Sequence, residues 1–127
     1  MTKILVIEDE GTVRENILEL LDAEGFDAIA AENGRIGLEL AKQHLPDLIL
    51  CDVRMPELDG YGVLTGLRSE VTTSAIPFLF LTAKAAKTDL LYGLELGATA
   101  YITKPFTLSQ LLEAIAQALL QNKAPLK

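Results

Sequence analysis

Five short apolar runs recur at near-regular intervals along the chain: Lys3–Ile7, Asp27–Ala31, Asp47–Cys51, Pro77–Leu81 and Thr99–Ile102. The first, third and fourth are continuously apolar rather than alternating, the pattern of parallel strands covered on both faces. Segments of helical period lie between them. Val13, Ile17, Leu20, Leu21 and Glu24 follow the i, i+4, i+7, i+8, i+11 spacing, which predicts a first helix with an apolar stripe and an acidic back. Ile36 and Leu40 mark a second helix, Leu64 and Leu67 a third, and Leu90, Leu91 and Leu94 a fourth. The last helix has the clearest start. Thr107-Leu-Ser-Gln110 reads as a capping box, and Leu111, Leu112, Ile115 and Leu119 supply the stripe that follows.

The punctuation fits this division. Gly25 ends the first helix, Asn33-Gly34 opens the second, Pro46 precedes the third strand and Gly97 closes the fourth helix. A (βα)5 alternation with right-handed crossovers implies an α/β fold, a doubly wound parallel sheet in a three-layer sandwich. No internal repeat or interdomain linker interrupts it, and Asn122–Lys127 reads as a short frayed tail.

Composition narrows the class. The chain has 127 residues, half of them apolar, enough for one filled core and against intrinsic disorder. Its single cysteine makes no internal disulfide, and no Cys/His cluster offers a zinc site. Ala75–Leu81 is too short to span a bilayer, and acids from Glu8 onward argue against a signal peptide, so the expectation is a cytoplasmic domain without membrane contact. The formal charge of −7 is uneven: residues 1–32 hold nine acids against Lys3 and Arg14, whereas residues 33–127 balance. Such a field repels nucleic acid and favours divalent cations or basic partners, although an acidic helix face is often only solvated.

In open α/β sheets, sites lie at the carboxyl ends of the strands. Read in order, those ends carry Glu8, Asp9 and Glu10, then Asp52, then Thr82, then Lys104. Crowded carboxylates repel until a cation joins them, and oxygen donors without His or Cys favour Mg²⁺ over zinc. An Asp carboxylate can attack phosphorus to form an acyl phosphate, with a cation and a lysine neutralising the transferring group and a hydroxyl bonding one of its oxygens. Neither of the glycine-rich phosphate loops, G-x-x-x-x-G-K-[ST] or G-x-G-x-x-G, occurs.

Four blocks carry a family likeness: Ile4-Leu-Val-Ile-Glu-Asp9, Asp47-Leu-Ile-Leu-Cys-Asp-Val-Arg-Met-Pro-Glu-Leu-Asp-Gly60, Phe80-Leu-Thr82-Ala83 and Gly97-Ala98…Lys104-Pro105-Phe106. In that order the chain resembles the receiver domain of two-component response regulators, over nearly all of Lys3–Leu120. The resemblance implies a flavodoxin-like strand order 2-1-3-4-5, a receiver domain over residues 1–121 and a tail over 122–127. It makes Asp52 the phosphoacceptor, and Asp9, Glu8, Asp52 and the Arg54 backbone carbonyl the Mg²⁺ site, with Asp9 a direct ligand. Thr82 becomes the switch hydroxyl, Lys104 the phosphate-pairing lysine, and Tyr101 the aromatic switch. The Lys104–Pro105 bond is expected to be cis.

Glu8 stands where Asp is more frequent, which lengthens the arm and favours a water-mediated metal contact. By the same resemblance, Arg54 and Lys84 fall at the two positions expected to tune dephosphorylation. Cys51 reads as inert core and His44 as a surface residue suited to a helix C-terminus. The implied function is a phosphorylation-activated switch rather than a classical enzyme. It would be charged by a histidine kinase or histidine phosphotransfer protein and would catalyse only its own aspartyl phosphorylation and dephosphorylation. Its output would be a changed face on the fourth helix, fifth strand and fifth helix, read by a downstream protein or a homodimer. That face carries few charges (Lys84, Lys87, Asp89, Glu95 and Glu113) and lacks the usual acids of winged-helix regulators. Ending after the fifth helix, the chain reads as a single-domain regulator or a fragment of a longer protein. The rivals are a haloacid-dehalogenase-type phosphatase, faintly echoed by Glu8-Asp-Glu-Gly-Thr12, and a pseudo-receiver that is never phosphorylated.

Overall fold

The computed structural model describes residues 1–83 and 87–123, with side chains described except at 87–89 and 122–123. Strands β1 (Lys3–Ile7), β2 (Asp27–Ala31), β3 (Leu48–Asp52), β4 (Phe78–Thr82) and β5 (Ala100–Thr103) alternate with five helices. These are α1 (Gly11–Ala23), α2 (Gly34–His44), α3 (Gly60–Arg68), α4 (Lys87–Glu95) and α5 (Leu108–Lys123). Every pairing is parallel, in the order β2-β1-β3-β4-β5.

The period of two explains the unbroken apolar runs. Leu5, Ile7, Ile49, Cys51, Phe78 and Phe80 point to one side, against Ala41 of α2 and Val63, Leu64 and Leu67 of α3. Ile4, Val6, Leu48, Leu50, Leu79 and Leu81 point to the other, against Ile17 and Leu21 of α1 and Leu111, Ile115 and Ala118 of α5. Each such side chain taken fully out of water stabilises the fold by roughly 1.5–3 kcal/mol. The sandwich has the expected three layers.

Local chemistry sets the helix ends. Asn33 Oδ1 accepts from the Ile36 N–H at 2.8 Å, and Asp59 Oδ1 from the Gly62 N–H at 2.9 Å. The capping box before α5 closes both ways, Thr107 N–H to Gln110 Oε1 at 2.9 Å and Gln110 N–H to Thr107 Oγ1 at 3.1 Å. Gly25 (φ 88°) and Gly97 (φ 111°) follow α1 and α4 as expected.

Three strands differ from the apolar pattern by one residue at each end. Asp47, Pro77 and Thr99 precede their strands instead of starting them. The Asp47 carboxylate accepts the Lys3 N–H at 2.8 Å, Pro77 has no N–H to give, and Thr99 Oγ1 accepts from Phe78 N–H at 3.1 Å. At the other end the ladder takes in Asp52, Thr82 and Thr103, polar residues that hydropathy leaves out. The marked helices form, and their burial is carried partly by other residues. On α2 the buried positions are Gly34, Gly37 and Ala41, with Ile36 and Leu40 only partly covered. On α4, Leu91 and Leu94 are half exposed, because the helix seats through Gly93, where a Cβ would lie 2.7 Å from the Phe80 ring. Helix α5 runs to Lys123, so the first two residues of the expected tail are helical; 124–127 lie outside the described residues.

Candidate functional site

Glu8, Asp9, Asp52, Thr82 and Lys104 stand at the carboxyl edge because strands deliver them there. Glu8 and Asp9 follow β1 directly, and the Glu8 N–H still pairs with Ala31 O at 3.1 Å. Asp52 and Thr82 are the last residues of β3 and β4, so they sit on ladder rather than loop, and Lys104 N–H bonds Thr82 O at 2.7 Å. The Lys104–Pro105 bond is cis. Gly60 keeps the loop after Asp52 tight. Its N–H bonds Val53 O at 2.8 Å, and a Cβ there would strike the Asp52 carbonyl oxygen.

Glu8, Asp9 and Asp52 each present a carboxylate oxygen, all within 4.8 Å of one another. Lys104 Nζ lies 3.1 Å from Glu8 Oε1 and 3.5 Å from Asp52 Oδ2. With Arg54, Thr82 and Ala83 these groups line a cleft of about 480 Å³. Glu8 is 1% exposed. Burial, then the charge of Asp52, push its pKa up to about 7, against the pull of the hydrogen bonds from Lys104 and the Glu10 N–H and of the lysine's charge. Burial works to lower Lys104, but the Glu8 hydrogen bond and the charges of Asp52 and Glu8 outweigh it and hold the ammonium above its ordinary value. The cluster is therefore strained by its own charge and all-oxygen in its donors. Those two properties fit a hard divalent cation.

Tyr101 lies beside this cleft, not in it. It is partly exposed on β5 and shares a second cavity, of about 200 Å³, with Thr82, Phe80 and Leu94, so Thr82 borders both spaces. Tyr61 stacks edge-on with Phe80 (5.3 Å) and Tyr92 (5.0 Å), joining α3 to α4. Arg54 is exposed. Lys84 lies outside the described residues, as do the side chains of Lys87 and Asp89. Cys51 is fully buried, its thiol donating to Asp52 O at 3.2 Å and its pKa raised by burial, as suits core. His44 closes α2 at the opposite edge.

Two contacts escaped sequence reasoning. The Glu8 carboxylate, besides sharing the cluster with Asp9 and Asp52, pairs with Lys104, 96 residues away. Arg14 Nη1 donates to the Glu8 backbone carbonyl at 2.8 Å. Arg14 was visible only as the one arginine within the acidic first quarter.

Residues 4–116 match the family described as response regulator receiver domain. A probable transcriptional regulator, ycf27, of Porphyridium aerugineum is 44% identical over 86% of this chain and 44% of its own length. Protein PilH of Pseudomonas aeruginosa is 37% identical over 91% of this chain and 95% of its own. The chain spans about half the length of the transcriptional regulators it matches. Among solved structures, the receiver domain of sensor histidine kinase PA1611 of P. aeruginosa superposes with a TM-score of 0.86 at 28% identity. The match covers 93% of this chain and 97% of that one, which has a magnesium ion coordinated in its active-site cleft. Four strand-end motifs, the strand order and these likenesses agree: the chain belongs to the response regulator receiver domain family.

Proposed function

We propose that the chain is a phosphorylation-activated switch in which Asp52 accepts a phosphoryl group from the phosphohistidine of a histidine kinase or histidine phosphotransfer protein. The observation that carries this reading is the placement of the Asp52 carboxylate 3.5 Å from Lys104 Nζ, in one cleft with Asp9 and Glu8. An Asp52 oxygen forms the new P–O bond as the P–N bond of the donor breaks, and the imidazole nitrogen keeps the electron pair. Lys104 screens charge on the phosphoryl oxygens, and the Thr82 hydroxyl bonds one of them. Asp9 and Asp52, with the Arg54 carbonyl and Glu8, hold Mg²⁺, which when bound neutralises charge on the transferring group. The only reactions catalysed are phosphorylation and dephosphorylation of Asp52 itself.

The phosphoryl group adds about −1.5 to −2 charges and three acceptor oxygens, enough to draw Thr82 and Lys104 inward. Tyr101 then turns into the cavity it shares with Thr82, changing the α4–β5–α5 face. Half-exposed Leu91, Tyr92 and Leu94 lie on α4, so an apolar contact with a downstream protein or a second copy suits this face. The reading places the protein in the cytoplasm, acting on proteins rather than on nucleic acid or membrane. Among the described residues no helix is long and apolar enough to cross a membrane.

Incubation with acetyl phosphate and Mg²⁺ tests the reading. One acid-stable, hydroxylamine-labile phosphoryl group per chain is expected, lost when EDTA replaces Mg²⁺. Turnover of phosphate esters without a stable phosphoprotein would favour the dehalogenase-type phosphatase, and no label at all a pseudo-receiver. For the switch, Tyr101→Ala should label at near the wild-type rate but respond less at α4 to beryllofluoride, as read by amide hydrogen exchange. An undiminished response would remove Tyr101 from the mechanism.

A further inference from the structure

Asp9 has the most exposed position of the three carboxylates, and its side chain makes no hydrogen bond or ion pair with any described residue. Its direction is therefore set by the backbone that carries it. That backbone carries two adjacent acids, Glu8 and Asp9, into one cluster with Asp52, where their charges repel. Strand pairing secures only half of the Glu8 peptide unit. The Glu8 N–H reaches Ala31 O, but β2 ends at Ala31, and the Glu8 carbonyl, which leads into Asp9, takes its hydrogen bond from Arg14 instead.

Arg14 is an unusual residue for that position. It lies in the first turn of α1, its own N–H bonding Glu10 O at 2.9 Å, where the helix dipole disfavours a cation. A guanidinium close to a Mg²⁺ site should also repel the ion. Both considerations make its placement costly unless it serves the loop.

Resting on the Mg²⁺ site described above, we infer that Arg14 is a positioning residue for the metal. By holding the Glu8 carbonyl it fixes the Glu8–Asp9 peptide, and so aims Asp9, which has no other tether, at the shared oxygen cluster. Loss of a group that orients a ligand without touching the ion typically costs roughly 10–100-fold in metal affinity.

Charge and positioning predict opposite signs, which makes the inference testable by Mg²⁺ titration followed by calorimetry. If Arg14 acted only through charge, Arg14→Ala would tighten Mg²⁺ binding. If it aims Asp9, Arg14→Ala should weaken binding about 10-fold, the lower end of effects seen when a ligand loses its orienting partner. Arg14→Lys keeps both donor and charge and should recover most of that loss. Arg14→Gln, neutral and too short to reach the carbonyl, should behave like Ala, and it answers the question should the Ala variant fail to fold in EDTA. Unchanged or tighter binding in the neutral variants would overturn the role of Arg14 and leave the metal site standing. Failure of the wild-type chain to bind Mg²⁺ would overturn both.

Discussion

Asparagine at position 52 is expected to reduce phosphoryl incorporation to background, a fall of at least about 1000-fold by comparison with the removal of other enzymatic nucleophiles. The amide matches the carboxylate in shape, and Asp52 lies at the end of a ladder strand, so the fold should persist. What disappears is the anionic oxygen that forms the P–O bond and a donor to the metal. A second readout accompanies it. The charge of Asp52 is the second cause of the raised Glu8 pKa, so in Asp52→Asn the Glu8 carboxyl should titrate closer to its ordinary value. Stoichiometric incorporation in this variant would show that another group is the acceptor.

The pH dependence of stability should also be large, and its sign follows from Glu8. The folded-state pKa is raised from 4.5 to about 7, so between these values the folded chain retains a proton that the unfolded chain has released. Stability of the metal-free protein therefore falls as pH rises from about 4.5 through 7, by about 3 kcal/mol from this group. Lys104 stays charged throughout that window, since its pKa is raised. Mg²⁺ favours the ionised carboxylates, so its stabilisation should grow over the same range. Thermal melts at pH 5 and 7.5, with EDTA or Mg²⁺, provide the check. Glu8→Gln should flatten the metal-free slope, and Asp9→Asn should weaken the Mg²⁺ dependence. A metal-free slope that is the same in wild type and Glu8→Gln would contradict the assignment to Glu8.

Much of this architecture is legible before any coordinates, for a physical reason. Strands covered on both faces are apolar along the covered stretch, as Ile4–Ile7 of β1, Leu48–Cys51 of β3 and Phe78–Leu81 of β4 are. Strand ends were less legible. Asp52, Thr82 and Thr103 belong to the ladder but are polar, so an apolar pattern stops one residue short of the very positions that carry the site. Helices α2 and α4 were legible as helices but their seating was not: each approaches the sheet through glycine, which leaves no hydrophobic signal, while the leucines beside it remain partly open. The candidate site residues could be named from strand ends and from motifs. Their mutual contacts could not, because Glu8 and Lys104 are brought together only by closing the sheet, and a backbone carbonyl such as that of Glu8 has no identity in sequence at all.

The central claim is that Asp52 carries the phosphoryl group. Its most direct test is borohydride trapping of the chain after exposure to a phosphohistidine donor or acetyl phosphate with Mg²⁺, followed by peptide mapping. An acyl phosphate is reduced to the alcohol, so homoserine in place of aspartate at position 52, absent when Mg²⁺ is withheld, is the predicted result. Reduction at Asp9 or Glu8, phosphate on His44, or no modified residue would contradict it.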